Sequence, residues 1–596
     1  MFSLKLLIPS TYGAVLTGLL LCLNWTTSHN RTEDGHIGAA VYFWKTGRFD
    51  VFCVNPPLPR VICGAPIALC RPNYDWKSYS PRPQDRAEWG IGTAFIAAND
   101  EDQVRWYFFL ARSALIPLIL LGGWFGYRFA SELYGEASGV VFLTLWTFSP
   151  LLLGWGATIC PDRTGAALGV IGFYTFWRWL RFPTWGQTMI AGFALGLMPL
   201  TKMTWIVAFA LYPILWAIWR GISRTKMQRH EGGNAANVPV KKLAVLLLLG
   251  LYVVNMGYAF DGTFRKLGDY QFLSQTLSGK EGKTVHQTGN RFAESWLGKI
   301  PVPFPADFVQ GLDTQKADFE RGMSSYLNGQ TSERGWKSYY LYVLLYKEPV
   351  GTLALAALAA FMTVWTFLRR KKRENTVGWR DEMIPILTAI SLFVFISLQD
   401  GISIHPRYIL PVLPFVYIFA SKTGRVFTQR NTTGMVIVTM LLLATVVSSL
   451  SQYPHSMSYF NEIAGGIKNG PSHLLGSNAN WGQSKYFLRD WCRKNTDITV
   501  YTTVLSKDEI ERLQLKNVQF IEISFVHDKS DSSNNVSDFS PGLYALSVSD
   551  IFENDKKYAL FRERTPIKRI GASIWIYRVN GKSLNEPETK GSRSDE

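Results

Sequence analysis

Apolar runs recur along the chain at 6–23, 106–127, 140–155, 166–179, 189–198, 203–219, 243–260, 350–368, 384–398, 409–420 and 435–450, with polar or charged stretches between them. Several reach the ~20 residues that an α-helix needs to cross a hydrocarbon core, and most of the rest can cross with their flanks. The stretch 186–219 is too long for one crossing at about 1.5 Å per residue and reads as two, turning near residues 199–202. The pattern predicts a polytopic α-helical membrane protein with about eleven transmembrane helices, filling a domain over 1–450. Past residue 450 the chain turns polar, with β-rich runs at 498–505, 518–524, 542–548 and 573–579 that predict a small α/β domain over 451–580. The Ser-, Asn- and Asp-rich stretch 528–540 reads as a loop insert and 581–596 as a flexible tail.

Charge orients these elements. Only 18% of the 596 residues are charged and 47% are hydrophobic, against about 25% charged in soluble domains, which excludes a soluble enzyme. The formal charge of +17 sits in short loops between apolar runs, a distribution that a nucleic-acid groove does not explain and cytoplasmic loops do. The loops 220–242, 369–383 and 422–433 and the pair Arg178 and Arg181 carry this bias. The amino terminus is then inside, and 25–105, 157–163, 199–203, 261–347, 399–408 and everything past 450 are outside. The first run is read as a retained span rather than a cleaved signal peptide. Aromatic residues mixed with charge at 336–342 suit helices lying on the bilayer. Cys53, Cys63 and Cys70 share the first outer loop, so a Cys53–Cys63 or Cys63–Cys70 bridge and free thiols are equally open. The triplets at Asn24, Asn30 and Asn535 have the form of glycosylation acceptors.

With that orientation the ionisable residues at span boundaries collect on the outer face. Glu33, Asp34 and His36 follow the first span, Asp162 opens the fourth, Lys202 lies between the fifth and sixth, and His405 and Arg407 open the tenth. Ionisable groups at such depth are costly and are functional candidates. Glu33, Asp34 and Asp162 suit a general base with a second carboxylate that orients the attacking group or a metal. Lys202, His405 and Arg407 suit a clamp on a lipid phosphate, because a guanidinium fork binds two oxygens at once. Each has a plainer role to set against this. Asp162 after Pro161 suits a helix start, Lys202 can snorkel, Arg407 can anchor at the interface, and His36 can hydrogen-bond locally.

The segment Glu33-Asp34-Gly35-His36 resembles the acidic first-outer-loop motif of polytopic GT-C glycosyltransferases, the protein O-mannosyltransferase and aminoarabinose transferase superfamily, with the order of the acids reversed. The segments 44–50 (WKTGRFD) and 54–58 (VNPPL), Pro161-Asp162, Leu200-Thr201-Lys202, 296–303, 346–349, 405–411 (HPRYILP), 459–462 and 477–483 (SNANWGQ) are similar to motifs of a bacterial branch of these proteins. Where that branch reads D-S-N-x-D-W-G-Q, this chain has Gly476 and Asn480, which weakens any metal or substrate contact those acids make in relatives. The resemblance implies a GT-C membrane body with large outer loops at 25–105 and 261–347.

It also implies transfer of a hexosyl or pentosyl group from a polyprenyl-phosphate donor to a glycan, lipid or protein acceptor on the outer face of a bacterial inner membrane. Glu33 or Asp34 would be the base, Asp162 would orient the acceptor or a cation, and Lys202, His405 and Arg407 would hold the donor phosphate. His36, Lys347 and Tyr408 are further candidates. A divalent cation, if one takes part, would fall to Glu33, Asp34 or Asp162. The rivals are a lipid transporter or flippase, which would place its site near the midplane, and a degenerate member that only binds lipid.

Overall fold

The computed structural model describes residues 2–76, 86–223, 239–279, 288–368, 378–399, 401–521, 539–553, 558 and 561–580. The basic clusters at 224–238 and 369–377, the triplet at Asn535, most of the 528–540 insert and the 581–596 tail lie outside the described residues. The chain opens with α1 (Phe2–Thr26), whose Leu16, Leu20 and Leu23 form one buried face while Leu6, Leu7 and Val15 stay exposed, as expected of a helix at the lipid boundary. The first outer segment folds into α2 (Arg31–Thr46), α3 (Pro57–Leu69) and α4 (Ala87–Ala97). Asn30 starts α2, its side chain accepting from the Thr32 and Glu33 amides at 3.0 and 3.2 Å, a capping arrangement. Gly47, at φ +71°, ends the helix.

The body follows as α5 (Glu101–Ala114), α6 (Ile116–Tyr134), α7 (Glu136–Phe148), α8 (Pro150–Gly156), α9 (Pro161–Arg181), α10 (Trp185–Thr201), α11 (Ala208–Ser223) and α12 (Val240–Gly257). An outer lobe carries the single turn α13 (Gln275–Ser278), α14 (Ala306–Arg321), the hairpin β1 (Ser325–Leu327) with β2 (Gln330–Ser332), and α15 (Tyr339–Lys347). The body resumes with α16 (Val350–Leu368), α17 (Trp379–Ser397), α18 (Leu413–Ala420), α19 (Arg425–Thr428) and α20 (Thr432–Ser451).

Among the described residues six helical stretches are long and apolar enough to cross a membrane, or seven with α7 and α8, bent by 54°, counted together. The chain is a polytopic helical membrane protein with fewer uninterrupted spans than its apolar runs suggested. Three of the remaining runs are helices interrupted by charge or shortness. The helix α9 carries Asp162, Arg163, Arg178 and Arg181, α10 has 17 residues, and α17 opens with Arg380, Asp381 and Glu382. The run at 409–420 is broken into a 3-10 turn (Pro406–Ile409) and the eight-residue α18, about 12 Å of α-helix against a core of about 30 Å. On the side assigned to the cytoplasm, Arg178 pairs with Glu132 at 2.7 Å and Arg181 lies 3.9 Å from Asp381. All six cysteines are free, so neither bridge allowed by the sequence forms. Asn24 is buried, its amide donating to Ser113, and Asn30 is occupied in the α2 cap.

Residues 452–484 run over the body rather than away from it. The Asn461 side chain donates to the Leu345 and Glu348 carbonyls at 2.6 and 2.7 Å, and Phe460 is fully buried in the main core. After the short α21 (Gly466–Asn469) the chain enters α22 (Lys485–Lys494), β3 (Val500–Thr502), α23 (Lys507–Arg512), β4 (Val518–Phe520), β5 (Gly542–Ser547), α24 (Val548–Phe552), β6 (Lys568–Ile570) and β7 (Ile574–Val579). These strands form one five-stranded sheet in the order β4-β3-β5-β7-β6, parallel at β4-β3-β5 and antiparallel beyond. The four expected strands are present, and β6 is the one the pattern missed. Asn480 donates to Ser547 at 2.7 Å and Arg512 pairs with Glu101 at 2.6 Å, fixing the sheet to the outer ends of the body.

Small residues set the close contact of α10 with α12. A side-chain carbon placed on Gly192 or Gly196 of α10 would come within 2.9 Å of the Leu246 carbonyl oxygen or 2.5 Å of that of Gly250 on α12, the close approach that G-x-x-x-G spacing permits. Gly196→Val should therefore push α10 from α12 and destabilise the fold by about 1–3 kcal/mol. It should lower the thermal unfolding midpoint in detergent; an unchanged midpoint would show that these helices are not in contact.

Candidate functional site

The acidic motif after α1 divides between two surroundings. The Glu33 side chain is fully buried, and Arg112 of α5 spans it with a two-pronged bond, Nε to Oε1 at 2.8 Å and Nη2 to Oε2 at 2.7 Å. The Asn30 amide and the Ile159 backbone N–H add bonds at 2.8 and 3.0 Å, so both carboxylate oxygens are occupied. Arg112 also donates to the Asn24, Thr27 and Ser28 carbonyls and thereby ties the end of α1 to α2 and to the loop before α9. Asp34 faces elsewhere. It lies about 200° around the helix from His36, and its Oδ1 is 2.6 Å from Nδ1 of His29, which stacks on Phe108.

Asp162, in the first turn of α9, meets the predicted cations. Lys202, at the end of α10, donates to Asp162 Oδ1. Gly165 lies one turn after Asp162, and a side-chain carbon there would be 3.1 Å from the Lys202 Cβ, so the glycine admits the lysine. The Arg407 Nε lies 4.0 Å from Asp162 Oδ2, which makes no hydrogen bond among the described residues. Arg407 Nη1 instead points at Cys160 Sγ, 3.4 Å away, and the guanidinium lies 5.4 Å from the Trp155 ring centre. Burial pushes the Cys160 thiol up to about 12, so it stays protonated and brings no negative charge to Arg407. Burial also opposes the charges of Lys202 and Arg407. Asp162 offsets part of this for both.

His405 and Tyr408 complete this side. His405 is buried, its Nδ1 is 3.0 Å from Ser477 Oγ, and its ring meets Trp481 edge-on at 4.8 Å. The Lys202 ammonium lies 5.1 Å from the Tyr408 ring centre. The structure thus brings Asp162, Lys202, His405, Arg407 and Tyr408 together and keeps Asp34 apart. Lys347 lies elsewhere too: fully buried, it donates to the Met457 and Asn478 carbonyls at 3.0 and 2.5 Å. There it caps backbone carbonyls of the 452–484 segment.

His36 is on the cluster's side, and it brings in a residue the sequence reading passed over. Its imidazole is buried with both ring nitrogens unpartnered among the described residues, and its pKa lies well below the ordinary value through burial and the charges of Arg60 and Arg407. Arg60, on α3, is buried too. One of its Nη atoms donates to the Asn55 carbonyl at 2.8 Å, its Nε has no partner, and among the described residues no carboxylate pairs with it. An arginine inside the otherwise apolar α3, like Arg112 inside the run 106–127, was the available signal, because a charge in an apolar element needs a partner. The two positions at which the chain departs from the family motif have structural roles. Gly476 adopts φ +61°, a left-handed position that glycine and aspartate both tolerate, and Asn480 holds the sheet and its own loop through Ser547 and the Gly482 amide.

The donor set does not fit a divalent cation. Arg112 spans Glu33, Lys202 occupies Asp162, and among the described residues no three His, Cys, Asp or Glu side chains converge. The cluster instead sets two cations, Lys202 and Arg407, beside the carboxylate of Asp162, and Arg60 adds its charge beside the adjoining His36. Such a surplus in a buried setting suits a phosphate-bearing molecule.

A membrane protein with a cluster of buried cations around Asp162 at its helix ends is the class that fold and site define. Residues 91–253, which include Asp162 and Lys202, match the family model of dolichyl-phosphate-mannose-protein mannosyltransferase. The match bears out the resemblance read from the motifs. Two solved structures are similar at low identity. ArnT from Cupriavidus metallidurans bound to undecaprenyl phosphate is 12% identical at a TM-score of 0.44, over 95% of this chain and 97% of that one. The oligosaccharyltransferase AglB from Archaeoglobus fulgidus, in complex with an inhibitory peptide and a dolichol-phosphate, is 12% identical at 0.44, over 86% of this chain and 64% of that one. No curated protein sequence matches the chain significantly.

The Glu33 clamp generates a stability prediction. Arg112→Ala leaves a buried carboxylate without its cation and should cost about 3–5 kcal/mol, whereas Glu33→Gln with Arg112→Met should recover most of that loss. Unfolding in detergent reads both. If the double variant is no more stable than Arg112→Ala, the pair is not the origin of the effect.

Proposed function

We propose that the chain is a membrane glycosyltransferase that moves a sugar from a polyprenyl-phosphate carrier to an acceptor at the extracytoplasmic face of a bacterial inner membrane. The observation that carries this reading is the carboxylate of Asp162 between the cations Lys202 and Arg407, with Arg60 beside the adjoining His36. The family matched over 91–253 is named for a polyprenyl-phosphate-linked sugar donor, which supports the donor class. The basic bias of the 220–242 loop supports the outward direction of the site. The acceptor class, a glycan, lipid or protein, follows from the family resemblance alone.

In this reading Arg407 and Arg60 grip the donor phosphate, with His36 able to donate a further hydrogen bond from its unpartnered ring. The acceptor hydroxyl attacks the anomeric carbon from the face opposite the phosphate. The bond from that carbon to the phosphate oxygen breaks, its electron pair leaving with the phosphate, and the configuration inverts. Phosphate departs without a general acid, so the remaining task is to accept the hydroxyl proton. Asp162 Oδ2, free of hydrogen bonds, takes that role, and Lys202 holds the carboxylate in place through Oδ1. The assignment of the base moves from Glu33 or Asp34 to Asp162 because Arg112 occupies the first and the second faces His29. No step passes through a metal.

The test is sugar transfer by purified protein supplied with polyprenyl-phosphate sugars. Asp162→Asn should lower turnover by about 10²–10⁴-fold, the usual contribution of a general base, while leaving donor binding in place. Arg407→Lys should weaken donor binding because an ammonium cannot reproduce the fork. Arg60→Gln should raise the donor concentration needed by about 10-fold or more, as expected for one charge-assisted bond. Full turnover in Asp162→Asn would remove it as base, and donor binding without transfer by wild type would leave a lipid-binding or transport role.

A further inference from the structure

The helix α12 shows a row of large apolar side chains at every fourth position, Leu248, Tyr252 and Met256 being 64, 55 and 47% exposed. That spacing makes one helix face. The helix ends at Gly257, but the row continues. Phe260 is 43% exposed, its ring 5.3 Å from that of Tyr252. Phe264 and, from a neighbouring segment, Trp296 follow at 63 and 74% exposed. The two segments lie side by side, with the Phe264 and Leu267 amides donating to the Val302 and Ile300 carbonyls at 2.9 and 3.0 Å.

Backbone strain holds this arrangement. Ala259, Phe260 and Phe264 adopt φ +52°, +60° and +64°, conformations that cost roughly 1–2 kcal/mol each for residues with a side chain. Asn255 fixes the turn. Its carbonyl accepts from the Phe260 amide at 2.8 Å, its side-chain amide donates to Pro303, and its side-chain oxygen accepts from Thr263. In water this would be unfavourable twice over, since strained backbone presents large rings to solvent. Arg265, Lys266 and Lys299 lie exposed on the same segments, along with Asp261, Asp269 and Glu294, and interfacial segments place bases beside lipid phosphates while aromatics enter the acyl boundary.

We propose that the paired segments around Phe264 and Trp296 form an interfacial anchor that enters the adjacent leaflet at the boundary of headgroups and acyl chains. The occupant of this face is membrane lipid, because its exposed rings follow the exposed apolar row of α12, joined to it through the Tyr252–Phe260 ring contact, on segments that also carry Arg265, Lys266 and Lys299. The anchor fixes the height of the outer lobe. In that lobe Phe308 of α14 packs with Leu200 and Met203, the neighbours of Lys202, so the same contact holds the lobe against the cation cluster. The inference does not depend on the transferase reading.

The test replaces Phe264 or Trp296, one at a time, with p-benzoylphenylalanine in the full chain, reconstituted in vesicles of phosphatidylethanolamine and phosphatidylglycerol. After irradiation, mass spectrometry identifies the adducts. Phe361, exposed midway along α16, is the lipid-facing reference, and Ile567, exposed beside the C-terminal sheet, is the solvent-facing one. Phospholipid adducts at 264 and 296 should approach the yield at 361 and exceed that at 567 several-fold. Yields at 264 and 296 no greater than at 567, or adducts to a second protein chain in place of lipid, would overturn the anchor. Retention of the adduct pattern in an Asp162→Asn background keeps the outcome separate from that of the activity tests.

Discussion

The outer end of this molecule is organised around an imbalance of buried charge. Among the described residues Asp162 is the carboxylate that faces Lys202 and Arg407, and it satisfies Lys202 while leaving Arg407 4.0 Å away. Charges removed from water require partners or a ligand. The elements around the cluster are positioned to sustain this. Gly165 on α9 admits Lys202, the 3-10 turn Pro406–Ile409 carries Arg407 and Tyr408, and Trp481 from the segment after α20 covers His405. The second acidic site, Glu33, serves the first from outside. Clamped by Arg112, it accepts from the Ile159 amide, and Ile159 precedes the Cys160 toward which Arg407 points.

The membrane-spanning character was legible because a helix facing lipid must be apolar around most of its surface, a property that composition alone displays. The number of uninterrupted helices was less so. Runs such as 409–420 are as apolar as a span, yet they break into short turns within the protein, where neighbouring helices rather than lipid surround them. The strands of the C-terminal sheet were visible as β-rich runs except β6, whose three residues Lys568–Ile570 include two exposed cations and so lack an apolar signature.

Much of the cation cluster was also legible, since Asp162, Lys202, His405, Arg407 and Tyr408 stand at the borders of apolar runs where ionisable residues are costly. Roles that depend on distant pairing were not. Glu33 and Arg112 are separated by 79 positions, and no local pattern distinguishes a clamped carboxylate from a free one. Lys347 shows the same limit, because a boundary lysine that caps carbonyls and one that binds phosphate have the same sequence context. Arg60 and Arg112 each interrupt an apolar helix, and that interruption is the trace a buried charge leaves in a sequence.

In the proposed function the surplus positive charge around Asp162 receives a phosphate. The most direct measurement compares binding of a short polyprenyl phosphate with that of the polyprenol of the same chain length to the purified protein. Two charge-assisted bonds at about 1.5–3 kcal/mol each predict that the phosphate binds at least about 100-fold more tightly than the alcohol. Equal affinity for the two would contradict the account, because it would show that the protein holds the lipid chain and that the cations of the cluster play no part in recognition.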